Sequence, residues 1–233
     1  MRILVVEDEP KIRHVLMAYL EKEGWENDYT GDGHEAVAMH DYNQYDLILL
    51  DLKLNGLSGE EVCTRIREKS NVPIIMITSK SREDDVINGL HIGADDYILK
   101  PFRVKEVIAH IQALFRRMAV IERQDTHAAR TSFDQGRLIV DFDAREVLVR
   151  GVRAHLTETE FKLLSIVACE PKRVFSRSDL YYRVLGYRFQ GDGRTIDMHV
   201  RNLRKKIEAD AAEPRYVVTK VGQGYQFAMQ PDG

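Results

Sequence analysis

The sequence predicts a doubly wound α/β domain, built as (βα)5 around a parallel five-stranded sheet, followed by a smaller α+β domain. Three observations carry this. Ile3-Leu4-Val5-Val6, Leu47-Ile48-Leu49-Leu50, Ile74-Ile75-Met76-Ile77 and Tyr97-Ile98-Leu99 are apolar runs of strand length, separated by helix-length segments. That pattern marks a parallel sheet covered on both faces. The runs end on Glu7-Asp8, Asp51, Thr78 and Lys100. Strand ends of one sense share one edge of a sheet, where open α/β folds place their ligands. Beyond residue 131 the runs shorten and alternate around turn residues, as antiparallel strands do.

The chain has 233 residues, which favours two domains. Residues 1–120 hold 15 Lys and Arg against 21 Asp and Glu, and residues 121–233 hold 19 against 16. An acidic first half and a basic second half fit a regulatory unit joined to a nucleic-acid reader. No apolar run is long enough to cross a membrane and no secretory signal opens the chain, so a soluble, cytoplasmic protein without a membrane partner is expected. Cys63 and Cys169 are far apart on helical segments and read as thiols, not as a disulfide or a metal site.

In the first domain, Lys11 to Gly24 carries Ile12, Val15, Leu16, Tyr19 and Leu20 at helical spacing and stops at glycine. Glu26 to Thr30 is a weak strand. His34 to Tyr42 is a helix with Ala36, Val37 and Met39 inward. Ser58 is placed to cap a helix through Arg67. Arg82 to Ile92 is the next helix. Val107, Ile108, Ile111, Leu114 and Phe115 form the inner stripe of a last helix from Val104 to Arg117. Domain limits of 1–118, a linker at 119–131 and a second domain at 132–233 follow from the loss of apolar period after Met118.

In the second domain, Leu138, Val140, Phe142, Val147, Val149 and Val152 alternate through a small antiparallel sheet. Thr157-Glu158-Thr159-Glu160 is a capping box before an apolar run. Ser176 caps a second helix. In a third helix, Arg194 to Ala209, Ile196, Val200, Leu203 and Ile207 face a core. Arg194, Met198, Arg201, Asn202 and Lys205 fall opposite, flanked by Thr195, His199, Arg204 and Lys206. A basic face with one acid, Asp197, fits a helix laid in a DNA major groove or a solvated surface helix. Tyr216 to Phe227 reads as a terminal hairpin around Gly222-Gln223-Gly224.

Val6-Glu7-Asp8-Glu9, the strand ending at Asp51, Thr78-Ser79, Gly93-Ala94-Asp95-Asp96-Tyr97 and Lys100-Pro101-Phe102 resemble, in order and spacing, a response-regulator receiver domain over residues 1–117. Leu156 to Phe161, Arg194 to Val200 and Gly222-Gln223-Gly224-Tyr225 resemble the winged helix-turn-helix output domain of the OmpR/PhoB family. The resemblance implies a regulator phosphorylated on Asp51 by a sensor histidine kinase, with no enzymatic activity beyond its own phosphorylation and dephosphorylation. A carboxylate nucleophile can form an acyl phosphate. Asp8, Asp51 and the Lys53 backbone carbonyl would hold Mg²⁺, with Glu7 acting through water. Lys100 would contact the phosphoryl group, with a cis bond to Pro101 as a candidate. Thr78 and Tyr97 would form the switch.

The resemblance also implies a homodimer on phosphorylation through Val86, Asp95, Asp96, Glu106, His110 and Arg117. Val86 replaces a usual basic residue and His110 a usual arginine, so a weaker dimer is expected, strengthened if protonated His110 meets Asp96. Double-stranded DNA in tandem half-sites would be read through Arg194, Thr195, Met198, His199, Arg201, Asn202, Arg204 and Lys205, with Thr219 and Lys220 at the wing. RNA polymerase is a further partner. Asn202 stands where arginine is frequent, and Val221 where the wing often carries arginine. Two rival readings stay open: a phosphate-independent DNA binder, and a phosphatase working through an aspartyl phosphate.

Overall fold

The computed structural model describes residues 1–79, 92–121, 130–186 and 194–232, with backbone alone at 117–121 and 194. The chain divides into two compact units, Met1–Gln112 and Ala113–Gly233. The expected helix from Arg82, with Val86, lies outside the described residues but for its last residue, Ile92, which is described.

The elements that begin in the first unit are, in order, β1 (Arg2–Val6), α1 (Pro10–Lys22), β2 (Glu26–Thr30), α2 (Gly33–Tyr42), β3 (Leu47–Asp51), α3 (Gly59–Arg67), β4 (Ile74–Thr78), β5 (Asp96–Leu99) and α4 (Val104–Ile121), the last of which runs past Gln112. The sheet is parallel throughout, in the order β2-β1-β3-β4-β5. β3 and β4 are buried along their whole length. That is why their sequences are continuous apolar runs instead of alternating ones.

Capping fixes where the helices begin. Asp32 accepts from the backbone N–H of His34 and Glu35, and Ser58 forms a full capping box with Glu61. On α1 the core row is Leu16 and Leu20, whereas Val15 and Tyr19, at the same helical spacing, are 45% and 37% exposed. The two lie on the flank of an i, i+4 row, where a short helix on a sheet turns outward.

The second unit opens with the antiparallel sheet β6-β7-β8-β9, made of Arg130–Phe133, Leu138–Asp141, Glu146–Val149 and Val152–Arg153. Next come α5 (Glu158–Cys169), β10 (Val174–Phe175), α6 (Arg177–Leu185), α7 (Arg194–Ile207), β11 (Val217–Lys220) and β12 (Gly224–Phe227). The last sheet is ordered β10-β12-β11. Thr157 and Glu160 close the expected capping box on α5, and Ser176 caps α6. The core joins Phe133, Leu138 and Val140 from the first sheet to Leu163, Leu164 and Val167 of α5. It continues through Ile196, Val200, Leu203 and Ile207 of α7 to Phe227. Phe133 and Phe227 meet edge to face at 4.9 Å. Gly224, at φ +135°, brings β12 so close to β10 that a Cβ would lie 2.0 Å from the Phe175 carbonyl oxygen.

Candidate phosphoacceptor pocket and nucleic-acid interface

The parallel sheet brings the ends of β1, β3 and β5 to one edge. One carboxylate oxygen each of Glu7, Asp8 and Asp51 lies within 4.8 Å of the others. Lys100, just beyond β5, points its Nζ between two of them, 2.8 Å from Asp51 Oδ2 and 3.0 Å from Glu7 Oε1. Glu9 Oε1 lies farther out at 3.4 Å. The Lys100 side chain is 10% exposed, so these are largely desolvated charges. Burial opposes the charged ammonium, but Asp51 and Glu7 outweigh it and hold its pKa above the ordinary value.

Glu7 shows the opposite balance. Burial raises it to about 7, against the pull of Lys100 and with the neighbouring Asp51 charge adding to the rise. Glu7 Oε2 accepts no hydrogen bond, although Lys100 Nζ passes 2.8 Å from it. The three clustered carboxylates of Glu7, Asp8 and Asp51 beside one ammonium form a donor set that suits a hard divalent cation. Mg²⁺ fits these residues.

The pocket is shaped from behind by backbone. Lys53 N–H donates to Asp51 Oδ1 at 3.1 Å, while the Lys53 side chain is exposed. Arg13 Nη1 donates to the Glu7 carbonyl at 2.8 Å. Thr78 is buried at the end of β4, and its carbonyl accepts from Lys100 N–H at 2.7 Å. Tyr97 pairs with Met76 across the ladder, so Thr78, two residues on, lies on the same face as Tyr97. Tyr97 is half-buried. The Lys100–Pro101 bond is cis, as expected.

Two acids of the expected dimer face have partners within the chain. Asp95 is fully buried and accepts from Arg67 Nη2 at 2.9 Å and from Ile74 N–H at 3.0 Å. Arg67 also donates to the carbonyls of Gly93 and Val72. Asp95 is therefore a fastening between α3 and the start of β5. Asp96 is also fully buried, and its Oδ2 lies 2.9 Å from His110 Nδ1 within the same chain. The Asp96–His110 pair joins β5 to α4 within one chain. Glu106 is exposed. Val86 and the Arg117 side chain lie outside the described residues.

The face expected on α7 is narrower than helical spacing suggests. Arg201 and Lys205 are exposed and Arg204 is half-buried, whereas Thr195, Met198, His199 and Asn202 are buried. Thr195 and His199 flank the apolar stripe and follow it inward. Met198 and Asn202 lie farther round the helix and are buried as well. The Arg194 side chain is outside the described residues.

Arg204 is turned inward by two acceptors, the Val217 carbonyl and Thr219 Oγ1, both at 2.8 Å. Both residues expected to touch DNA there, Arg204 and Thr219, thus bond each other. Lys220 and Val221 are exposed in the hairpin. Residue types alone did not signal a neighbouring cluster. Asp197 Oδ1 accepts from Arg177 Nε and from the Tyr225 hydroxyl, each at 2.7 Å. Tyr225 is pushed up to about 12, first by burial and then by its bond to Asp197, so the hydroxyl remains a donor at neutral pH.

Residues 3–112 match the model of the response regulator receiver domain, and residues 151–227 that of the C-terminal domain of transcriptional regulatory proteins. The transcriptional regulatory protein SrrA of Staphylococcus aureus is 40% identical over 231 residues, 98% of this chain and 95% of SrrA. A structure of a RitR mutant matches with a TM-score of 0.77 at 26% identity, covering 97% of this chain and 98% of that one. The response regulator DrrB, a Thermotoga maritima OmpR/PhoB homolog, matches with a TM-score of 0.51 at 28% identity, over 97% and 98% of the two chains. Two matched domains in this order, a buried acidic pocket under a lysine, and a relative similar from end to end lead to one conclusion. This chain belongs to the OmpR/PhoB-type response regulators, phosphorylation-dependent transcription regulators of two-component systems that join a receiver to a DNA-binding domain.

Proposed function

We propose that Asp51 is the phosphoacceptor and that its pocket works with Mg²⁺ held by Asp8, Asp51, the Lys53 carbonyl and, through water, Glu7. The observation that carries this is the Lys100 ammonium held between Asp51 and Glu7 beside Asp8. A carboxylate oxygen of Asp51 attacks the phosphorus of a phosphohistidine on the kinase. The P–O bond forms, the P–N bond breaks, and the imidazole leaves with a proton. The metal supplies positive charge against the repulsion between the acids and the incoming group. Lys100, already desolvated and aimed at Asp51, transfers its contact to a phosphoryl oxygen. Thr78, at the end of the adjacent strand, turns toward the same group, and Tyr97 on the same face follows. Moving such a switch from mostly off to mostly on takes roughly 5 kcal/mol of differential stabilisation.

The reading extends to a homodimer on phosphorylation, in which Glu106, Val86 and Arg117 contribute and Asp95 and Asp96 serve within the subunit. The α7 face of Arg194, Arg201 and Lys205, with Lys220 of the hairpin, meets double-stranded DNA at tandem half-sites, and RNA polymerase is engaged from there. The protein works in the cytoplasm and turns over no external substrate. Among the described residues no helix is long and apolar enough to cross a membrane.

The test is light scattering with and without Mg²⁺ and beryllofluoride, alongside mass spectrometry after a small phosphodonor. A monomer that becomes a dimer, with a phosphorylated peptide absent from Asp51→Asn, supports the reading. A dimer in both states that Asp51→Asn leaves unchanged overturns the switch. Turnover of a phosphate ester overturns the non-enzymatic part.

A further inference from the structure

We propose that Asp197 and the Tyr225 hydroxyl are positioning residues for DNA recognition, aiming Arg177 and fixing α7 to both α6 and the terminal hairpin. The inference rests on the reading that α7 meets DNA.

Four side chains from three segments converge. Asp197 lies on α7, Arg177 opens α6, Tyr225 lies on β12 and Arg204 is two turns along α7. One oxygen, Asp197 Oδ1, accepts from both Arg177 Nε and the Tyr225 hydroxyl at 2.7 Å. The Tyr225 ring carries both guanidiniums over it, Arg177 at 5.2 Å and Arg204 at 5.5 Å. Arg204 continues to β11 through the Val217 carbonyl and Thr219 Oγ1. Each arginine is held through Nε, with Nη2 also engaged in Arg204. A guanidinium is rigid and planar, so fixing Nε fixes where its remaining N–H groups point.

The arrangement is also placed at the surface. Tyr225 is buried, but the Arg177 and Asp197 side chains are 36% and 37% exposed. A lone acid on a basic DNA-facing helix should repel phosphates. The acid here is bonded twice, and its work is to orient the Arg177 guanidinium and to hold the Tyr225 hydroxyl. A stacked cation over a tyrosine ring adds to the hold.

These facts give an experiment in which charge and position predict opposite signs. The full-length wild type, with Mg²⁺ and beryllofluoride, first selects a duplex from a random-sequence pool. Affinities for that duplex and for a mixed-sequence duplex are then measured for wild type, Asp197→Asn, Tyr225→Phe and the double variant. Asp197→Asn removes a negative charge, so charge alone predicts tighter binding to both duplexes. Positioning predicts a loss of roughly tenfold on the selected duplex, the scale of one charge-assisted hydrogen bond, with no loss on the mixed-sequence one. Tyr225→Phe keeps the ring that the core and both guanidiniums use, changes no charge, and should weaken the selected duplex in the same way. The double variant should bind about as Asp197→Asn does, because both act through one cluster.

Tighter binding by Asp197→Asn to the selected duplex, or wild-type binding by Tyr225→Phe, overturns the proposal. So does an equal loss on both duplexes with a lowered melting temperature, the signature of a merely structural role. A wild type that selects no duplex defeats the DNA reading itself, and this inference with it. Completing the selection before any variant is made keeps the two failures distinct.

Discussion

Replacing Gly59 with alanine should damage the phosphoacceptor pocket from behind. Gly59 is the first residue of α3 and is buried against the end of β3. A Cβ there would lie 2.1 Å from the Asp51 carbonyl oxygen, 2.8 Å from Leu52 Cα and 2.9 Å from the Asp51 carbonyl carbon. All three are backbone atoms of the phosphoacceptor or of the residue after it, so no side chain can swing aside. Relief requires moving α3 off the strand by more than an ångström. That movement would stretch the Gly59 N–H bond to the Leu52 carbonyl, now 3.1 Å, and disturb the Ser58–Glu61 capping box. Crowding of this kind costs roughly 1–3 kcal/mol, and a lost cap about 1 kcal/mol. Alanine's better helix propensity returns at most about 1 kcal/mol. The net is ~1–3 kcal/mol, or roughly 5–15 °C in the melting of a domain of this size. Calorimetry of the full chain measures the shift, and the rate of phosphorylation by a small phosphodonor measures the displacement of Asp51. A melting temperature within about 2 °C of wild type, together with an unchanged rate, would refute the steric reasoning.

Three further predictions follow from other parts of the structure. Arg67→Ala removes the guanidinium from buried Asp95 and from the carbonyls of Gly93 and Val72, and should destabilise the receiver by about 3–5 kcal/mol in chemical denaturation; a loss under 1 kcal/mol would show that the fastening carries little. His40 is half-buried on α2, and burial lowers its pKa below the ordinary 6.5. The unfolded chain then binds a proton that the folded chain does not, so this contribution is full above pH 6.5 and fades as pH falls toward the lowered value. His40→Gln should therefore lose less stability than wild type between pH 7.5 and 5.5, and equal losses would count against the assignment. Cys63 and Cys169 are both pushed up to about 11 by burial, so thiolate is scarce at neutral pH. Neither should react with iodoacetamide at pH 7.5 until the chain is unfolded, and prompt native labelling would contradict this.

The pocket was legible in the sequence because its chemistry sits at strand ends. An apolar run that stops on a carboxylate fixes both the strand and the edge on which the carboxylate lies. Repeating that pattern brings Glu7, Asp8, Asp51, Thr78 and Lys100 together without any knowledge of side-chain partners. The capping residues Ser58, Thr157 and Ser176 were legible for the same reason, since their partners lie within three residues along the chain. The inner stripe of α7 was legible from its period.

Partners chosen across the fold were not legible. Asp95 and Asp96 are adjacent acids in sequence, and both looked available to a second subunit. In the structure they point to opposite sides of β5. One meets Arg67, 28 residues away, and the other His110, 14 residues away. Nothing in residue type distinguishes a histidine that pairs within its own chain from one that pairs across a dimer. The same ambiguity hides in the basic helix. Arg201 and Arg204 look equivalent as cations, yet Arg204 is drawn in by a carbonyl and a hydroxyl of the hairpin, while Arg201 is exposed. Asp197, the acid that broke the basic pattern, is where the partners of α6, α7 and β12 converge. A charge that breaks a surface pattern is costly unless something compensates it, and here two hydrogen bonds to one oxygen do so. In this fold the odd residue in a periodic face was a better pointer to an organised cluster than the regular residues around it.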